Sequence, residues 1–151
     1  MIKATDDTIK EIVRSRIEEN PLADLNDIDV SEVTDMNCLF YGRLFNGIIS
    51  QWDTSHVTDM SFMFYSCTFN GNINRWNMGE VLDMKYMFSY SGFKKDIHMW
   101  TINKKCDYDY IFEHGCYIKK IPPTMDPRKA FGDSYDDYIF KQKIDEVIKK
   151  L

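Results

Sequence analysis

Four aspartates recur at intervals of 24 residues, Asp35, Asp59, Asp83 and Asp107. A carboxylate at a fixed register can accept backbone N–H bonds at a turn, help to hold calcium, or present a charged stripe that imitates nucleic acid. A calcium loop needs several oxygens converging from one short segment, and no D-x-D-x-D-G run is present. Capping gives a carboxylate a reason to recur at one register, so the expected role is to accept N–H bonds ahead of a helical turn.

A second column is aromatic: Phe62, Tyr86 and Tyr110, each two residues after Met60, Met84 or Tyr108. Tyr41 and Tyr65 follow Phe40 and Phe64 directly. A helical turn aims such positions sideways or outward. Exposed rings on a rigid scaffold anchor protein partners, whereas stacking single-stranded nucleic acid needs interleaved basic residues, and the repeats have few. The candidate partner-binding residues are therefore Phe62, Tyr65, Tyr86 and Tyr110, flanked by His56, Glu80 and Lys104. The N-terminal acids Asp27, Asp29 and Glu32 are a second candidate surface, able to occupy a basic groove. Lys94-Lys95, Lys104-Lys105 and Lys119-Lys120 make the C-terminal half electrostatically distinct.

Nothing else in the chain reads as reactive. Cys38, Cys67, Cys106 and Cys116 include no CxxC pair, so no zinc site is expected, and reduced, mostly buried thiols are. His56, His98 and His114 occupy different repeat positions and meet no Ser or Cys at a catalytic spacing. A Gly-rich phosphate loop and an HExxH motif are both missing. The expectation is no enzyme, no catalytic residues, no metal and no cofactor.

The spacing that sets these columns runs through the whole middle of the chain. Trp52, Trp76 and Trp100 share it, as do Met36, Met60 and Met84, and Phe40, Phe64, Phe88 and Phe112. So do Val33, Val57 and Val81, then Ile49, Ile73, Ile97 and Ile121, and finally Phe45, Phe69, Phe93 and Tyr117. One unit of this size cannot bury its own apolar residues, but stacked neighbours can, with equivalent side chains about 4.8 Å apart. Met60, Met63 and Phe64 have helical spacing, Val57-Thr58-Asp59 reads as a short strand, and Phe69-Asn70-Gly71 as turn chemistry. In the fourth unit Lys105 stands where the others have Val.

Helices are expected at both ends. Thr5-Asp6-Asp7 reads as an N-cap, followed by an Ile9, Ile12, Val13, Ile17 stripe that stops at Asn20-Pro21. Ser134-Tyr135-Asp136-Asp137 opens another, with Phe140, Ile144, Val147, Ile148 and Leu151 on one side.

The whole chain of 151 residues is long enough for one packed domain. Apolar residues make up 44% and aromatics 15%, which excludes a disordered chain. With 19 Lys and Arg against 24 Asp and Glu, the net charge of −5 argues against direct nucleic-acid binding. The absence of a long apolar run argues against a membrane span, and the start lacks a signal-type stretch, so a cytoplasmic location is expected.

Trp52-Asp53-Thr54-Ser55-His56-Val57-Thr58-Asp59-Met60-Ser61-Phe62-Met63-Phe64-Tyr65 closely resembles the repeat of BspA-like surface proteins, W-D-V-S-x-V-x-x-M-x-x-M-F. Asp29–Met36 and Asn77–Met84 are further copies, and together the copies span about two thirds of the chain. That resemblance implies a leucine-rich-repeat-like, right-handed solenoid used for protein binding, in bacterial surface proteins and also in phage and giant-virus proteins.

These readings combine into one set of expectations. The fold is an α/β solenoid of about four 24-residue coils, capped by a helix at each end. It is a single domain over 1–151, with an N-terminal cap at 1–24, repeats at 25–121 and a C-terminal cap at 122–151. The function is a non-enzymatic protein-binding module, an accessory protein of a phage or mobile element. Its partner is a protein, such as a host nucleic-acid-binding protein or defence nuclease, which it inhibits; neither nucleic acid nor membrane is bound directly. The alternative is a bacterial surface or adhesion repeat protein.

Overall fold

Backbone N–H groups in the repeats divide into two alternating sets, and that division decides the architecture. In the second unit the N–H groups of Phe62, Phe64 and Ser66 donate to the carbonyls of Lys85, Met87 and Ser89, each at 2.9 Å. Between them, Met63, Tyr65 and Cys67 donate three residues back, to Met60, Phe62 and Phe64. The same alternation joins Cys38, Phe40 and Gly42 to Ser61, Met63 and Tyr65, and Tyr86, Phe88 and Tyr90 to Asp109, Ile111 and Glu113. Along these stretches the N–H groups therefore alternate between their own unit and the next one, and no α-helical ladder forms. Turning the chain in this way takes left-handed backbone at Cys38, Phe62, Tyr86 and Tyr110, with φ between 55° and 60°. A second left-handed column runs through Gly42, Ser66, Tyr90 and His114.

The computed structural model describes residues 1–115, 118 and 120–151. Its regular elements lie almost wholly outside the repeats: β1 (Ile2–Lys3), α1 (Ile9–Glu19), β2 (Ile28–Asp29), α2 (Pro127–Phe131) and α3 (Tyr135–Lys149), with a 3-10 turn at Gly132–Ser134. β1 and β2 pair in parallel, Ile2 beside Ile28 and Lys3 beside Asp29. The units meet in single parallel bridges, Asp35 with Asp59, Asp59 with Asp83, and Asp83 with Asp107.

Apolar columns fill the interior. Phe40, Phe64 and Phe88 stack at 5.3 and 5.6 Å with planes 2° apart, and Trp52 and Trp76 stack at 6.3 Å. Each indole is also hydrogen-bonded: Nε1 of Trp52, Trp76 and Trp100 donates to the carbonyl of Leu25, Ile49 and Ile73 in turn. A buried indole N–H without a partner would be costly, so this column is fixed by polarity as well as by shape.

At one end α1 buries Ile9, Val13 and Ile17. At the other, Tyr110 and Phe112 donate to the Lys129 and Ala130 carbonyls of α2, the partners that the following unit supplies elsewhere. The Phe131 ring lies 5.1 Å from Phe112, and Tyr138 stacks on Phe131 at 4.0 Å.

These observations overturn the expected α/β solenoid of about four coils with capping helices. The chain is 23% helical and 7% strand, and the two-stranded sheet found among the described residues is open. The expected strand at Val57-Thr58-Asp59 reduces to a bridge at Asp59. The expected helical turn at Met60–Phe64 keeps its inward face, but its N–H groups go elsewhere. The C-terminal stripe is not a core face, because α3 buries none of its residues. Nor does Lys105 take the valine position. Cys106 does, donating to the Asn103 carbonyl as Val81 donates to Met78, while Lys105 is exposed. The Cys116, Tyr117 and Lys119 readings fall outside the described residues.

Candidate functional site

The left-handed columns carry Phe62, Tyr86, Tyr90, Tyr110 and His114, and the structure gathers these with Tyr41 and Tyr65 into two adjoining rows. In one row Phe62 and Tyr86 stack at 5.0 Å and Tyr86 and Tyr110 at 5.1 Å. In the other, Tyr41 stacks on Tyr65 at 5.0 Å, Tyr65 meets Tyr90 edge-on at 5.4 Å, and Tyr90 stacks on the His114 imidazole at 4.8 Å. Contacts of Phe62 with Tyr41 at 6.4 Å and with Tyr65 at 5.6 Å sew the rows together. Tyr41 and Tyr90 are half exposed, Tyr110 is 38% exposed, and Phe62, Tyr65 and Tyr86 are partly covered by their neighbours.

All four aromatic candidates thus share one surface, and Tyr41, Tyr90 and His114 extend it. Tyr90 and His114 lie outside the set that the aromatic columns predict, although the 24-residue shift from Ser66 leads to both. Apart from the edge-on pair of Tyr65 and Tyr90, neighbours within each row stack face to face, so a partner meets mainly ring edges and the tyrosine hydroxyls. Burial pushes the Tyr65 and Tyr86 phenols above the usual range. A protonated phenol can donate as well as accept a hydrogen bond.

Left-handed backbone at non-glycine residues costs about 1–2 kcal/mol at each position. Six such residues lie in or beside this surface: Phe62, Ser66, Tyr86, Tyr90, Tyr110 and His114. The forward hydrogen bonds and the ring stacks hold them there. Strain of this kind concentrates where side chains must be aimed.

The three acidic candidates are committed elsewhere. Asp27 pairs with Arg16 at 2.9 Å, and that hydrogen bond holds its carboxyl below the usual range. Glu32 pairs with Lys3 at 2.7 Å. Asp29 accepts from the Ser31 hydroxyl at 2.7 Å and the Ser31 N–H at 3.0 Å. The recurring aspartates do accept N–H bonds, each from the residue two ahead: Asn37, Ser61, Lys85 and Asp109. They close Asx turns rather than helix starts. His56, Lys94, Lys95, Lys104 and Lys120 are exposed.

Cys67 and Cys106 are buried, and Cys106 is pushed up to about 12 by burial; Cys38 is exposed. Among the described residues no three His, Cys, Asp or Glu side chains converge as a metal-binding group. Among them, too, no helix is long and apolar enough to cross a membrane.

One protein-family model matches residues 8–121, described as "Mycoplasma protein of unknown function, DUF285". Neither a curated protein nor a solved structure matches the chain.

Proposed function

This chain belongs to the DUF285 family, and we propose that it is a non-enzymatic protein-binding module whose contact surface is the double row of outward aromatic rings. The observation that carries this reading is the joining of Tyr41, Phe62, Tyr65, Tyr86, Tyr90 and Tyr110 into one partly exposed patch. Rigid aromatic side chains lose little entropy on binding and dominate the energetics of protein interfaces. Within the family, the Trp52–Tyr65 unit supports kinship with the BspA-like repeats.

The narrower reading, a phage or mobile-element inhibitor of a host nuclease, needs acids that a basic groove can engage. Asp27, Asp29 and Glu32 are already bonded to Arg16, Ser31 and Lys3, so the aromatic surface is the better supported one. The alternative of a surface or adhesion protein draws on the repeat resemblance alone.

The test compares immobilised wild type with Tyr65→Ala/Tyr86→Ala, both shown folded by circular dichroism, in extracts of the native host. Captured proteins are identified by mass spectrometry and then titrated individually. A partner that binds the double variant at least about tenfold more weakly supports the proposal. Equal binding by the variant, with loss on charge reversal of Asp27, Asp29 and Glu32, transfers the site to the acidic residues.

A further inference from the structure

Helix α3 turns an apolar stripe away from the body. Phe140, Val147 and Ile148 are 63, 59 and 60% exposed, and Leu151 is fully so. The body is held instead by Tyr135 and Tyr138, which pack against the core. Phe140, Ile144, Val147 and Leu151 follow one another at steps of four, three and four, the alternation of a two-helix seam. Asp136 and Lys143 border one edge of this seam, and Lys141 and Ile148 the other.

Those borders discriminate among occupants. From Tyr135 to Leu151 four lysines balance four acids, so an anionic bilayer gains no net attraction. An antiparallel copy that aligns Phe140 with Leu151 sets Lys143 against Lys150 twice, a like-charge pairing. A parallel copy sets Asp136 across from Lys141 twice and lays the Lys143 stem over Ile148. The stripe is thus self-complementary in one orientation. We propose that α3 pairs in parallel with α3 of a second copy of this chain, through Phe140, Ile144, Val147 and Leu151. A seam of two heptads is short, so the dimer is reversible and its population follows concentration.

Sedimentation equilibrium of the full chain across a concentration series tests this. Wild type dimerises with rising concentration, and Val147→Lys raises the dissociation constant at least about tenfold. Asp136→Lys weakens the dimer, and adding Lys141→Asp restores it, because the pair across the seam is re-formed with its signs exchanged. Tyr86→Ala, in the aromatic surface, dimerises like wild type. Helical circular dichroism confirms that α3 is intact in each variant. A chain that stays monomeric to about 1 mM overturns the proposal. So does a dimer indifferent to Val147→Lys, or a charge exchange that restores nothing.

Discussion

The Asp6 carboxylate does for Thr34 what the Thr34 carbonyl does for Thr58. Asp6 accepts from the Thr34 N–H at 2.7 Å, the Thr34 hydroxyl at 2.7 Å and the Asp35 N–H at 3.0 Å. One unit further, the Thr34 carbonyl accepts from the Thr58 N–H at 2.8 Å, the Thr58 hydroxyl at 3.3 Å and the Asp59 N–H at 3.3 Å. A side chain thereby takes over the work of a backbone carbonyl at the first edge of the stack, where unpaired N–H groups would otherwise offer a template for aggregation. Thr8, not Asp6, precedes α1, and its hydroxyl accepts from the Thr5 N–H.

Replacing Asp6 with Ala should therefore cost about 1–2 kcal/mol at pH 7, by analogy with the loss of a capping side chain. The Thr34 hydroxyl bond, first among its causes, holds the Asp6 carboxyl below the usual range. A carboxyl depressed in the folded state stabilises above its unfolded value, near 3.9, and that stabilisation fades as pH falls through the lower folded value. Urea unfolding of wild type and Asp6→Ala should differ at pH 7 and converge below about pH 4. A gap that persists undiminished at about pH 2.5 would count against the carboxylate as its source.

Trp76 is 4% exposed, stacks on Trp52 and donates its indole N–H to Ile49. Trp76→Ala removes ring, stack and hydrogen bond together and should cost about 3–5 kcal/mol. Thermal and denaturant unfolding measure this directly. Should the variant melt at the wild-type temperature and lose only partner binding, the Trp column would be a recognition surface instead of interior packing.

Ser66 shares its left-handed column with Gly42, at φ 53° against 65°, and is exposed. Glycine reaches this region without steric cost, although it loses more entropy on folding. The balance predicts that Ser66→Gly stabilises the protein by about 0.5–1 kcal/mol, while a β-branched residue at the same place destabilises it. Paired denaturation curves for Ser66→Gly and Ser66→Val decide the matter. Indistinguishable midpoints would mean that the left-handed turn carries no measurable strain.

The columns were legible because equivalent places in a stack make equivalent demands. A Trp that must reach a carbonyl 27 residues back, or an Asp that must close a turn two residues ahead, leaves the same letter in each unit. What the letters do not record is where an N–H points. Met60, Met63 and Phe64 announce an inward face at helical spacing, and that face is buried, yet the N–H groups between them serve two different partners. An aromatic residue at positive φ is equally silent in sequence, since its type argues for extended backbone. The groups that donate to Asp6 lie 28 and 29 residues away, beyond any local reading of a helix start. The α3 periodicity revealed an apolar stripe but not what covers it. The start of α2, by contrast, is written locally: Asp126 stands before Pro127, its carboxylate accepting from the Arg128 N–H.

The alternating N–H bonds bear on how such a chain can change over generations. The carbonyls of Thr34 and Thr58 receive their bonds from Thr58 and Leu82, at equal intervals of 24 residues. The one-place offset at Cys106 is made up again by Asp107, so that unit keeps its 24 residues from Asp83. Within Met60–Ser66 a single insertion would exchange the two sets, turning forward donors inward and inward donors forward. Removing or duplicating a whole unit leaves every donor facing its acceptor. Inheritance can therefore adjust this protein's length in discrete steps, each adding or subtracting one ring from each outward row and leaving the two ends untouched.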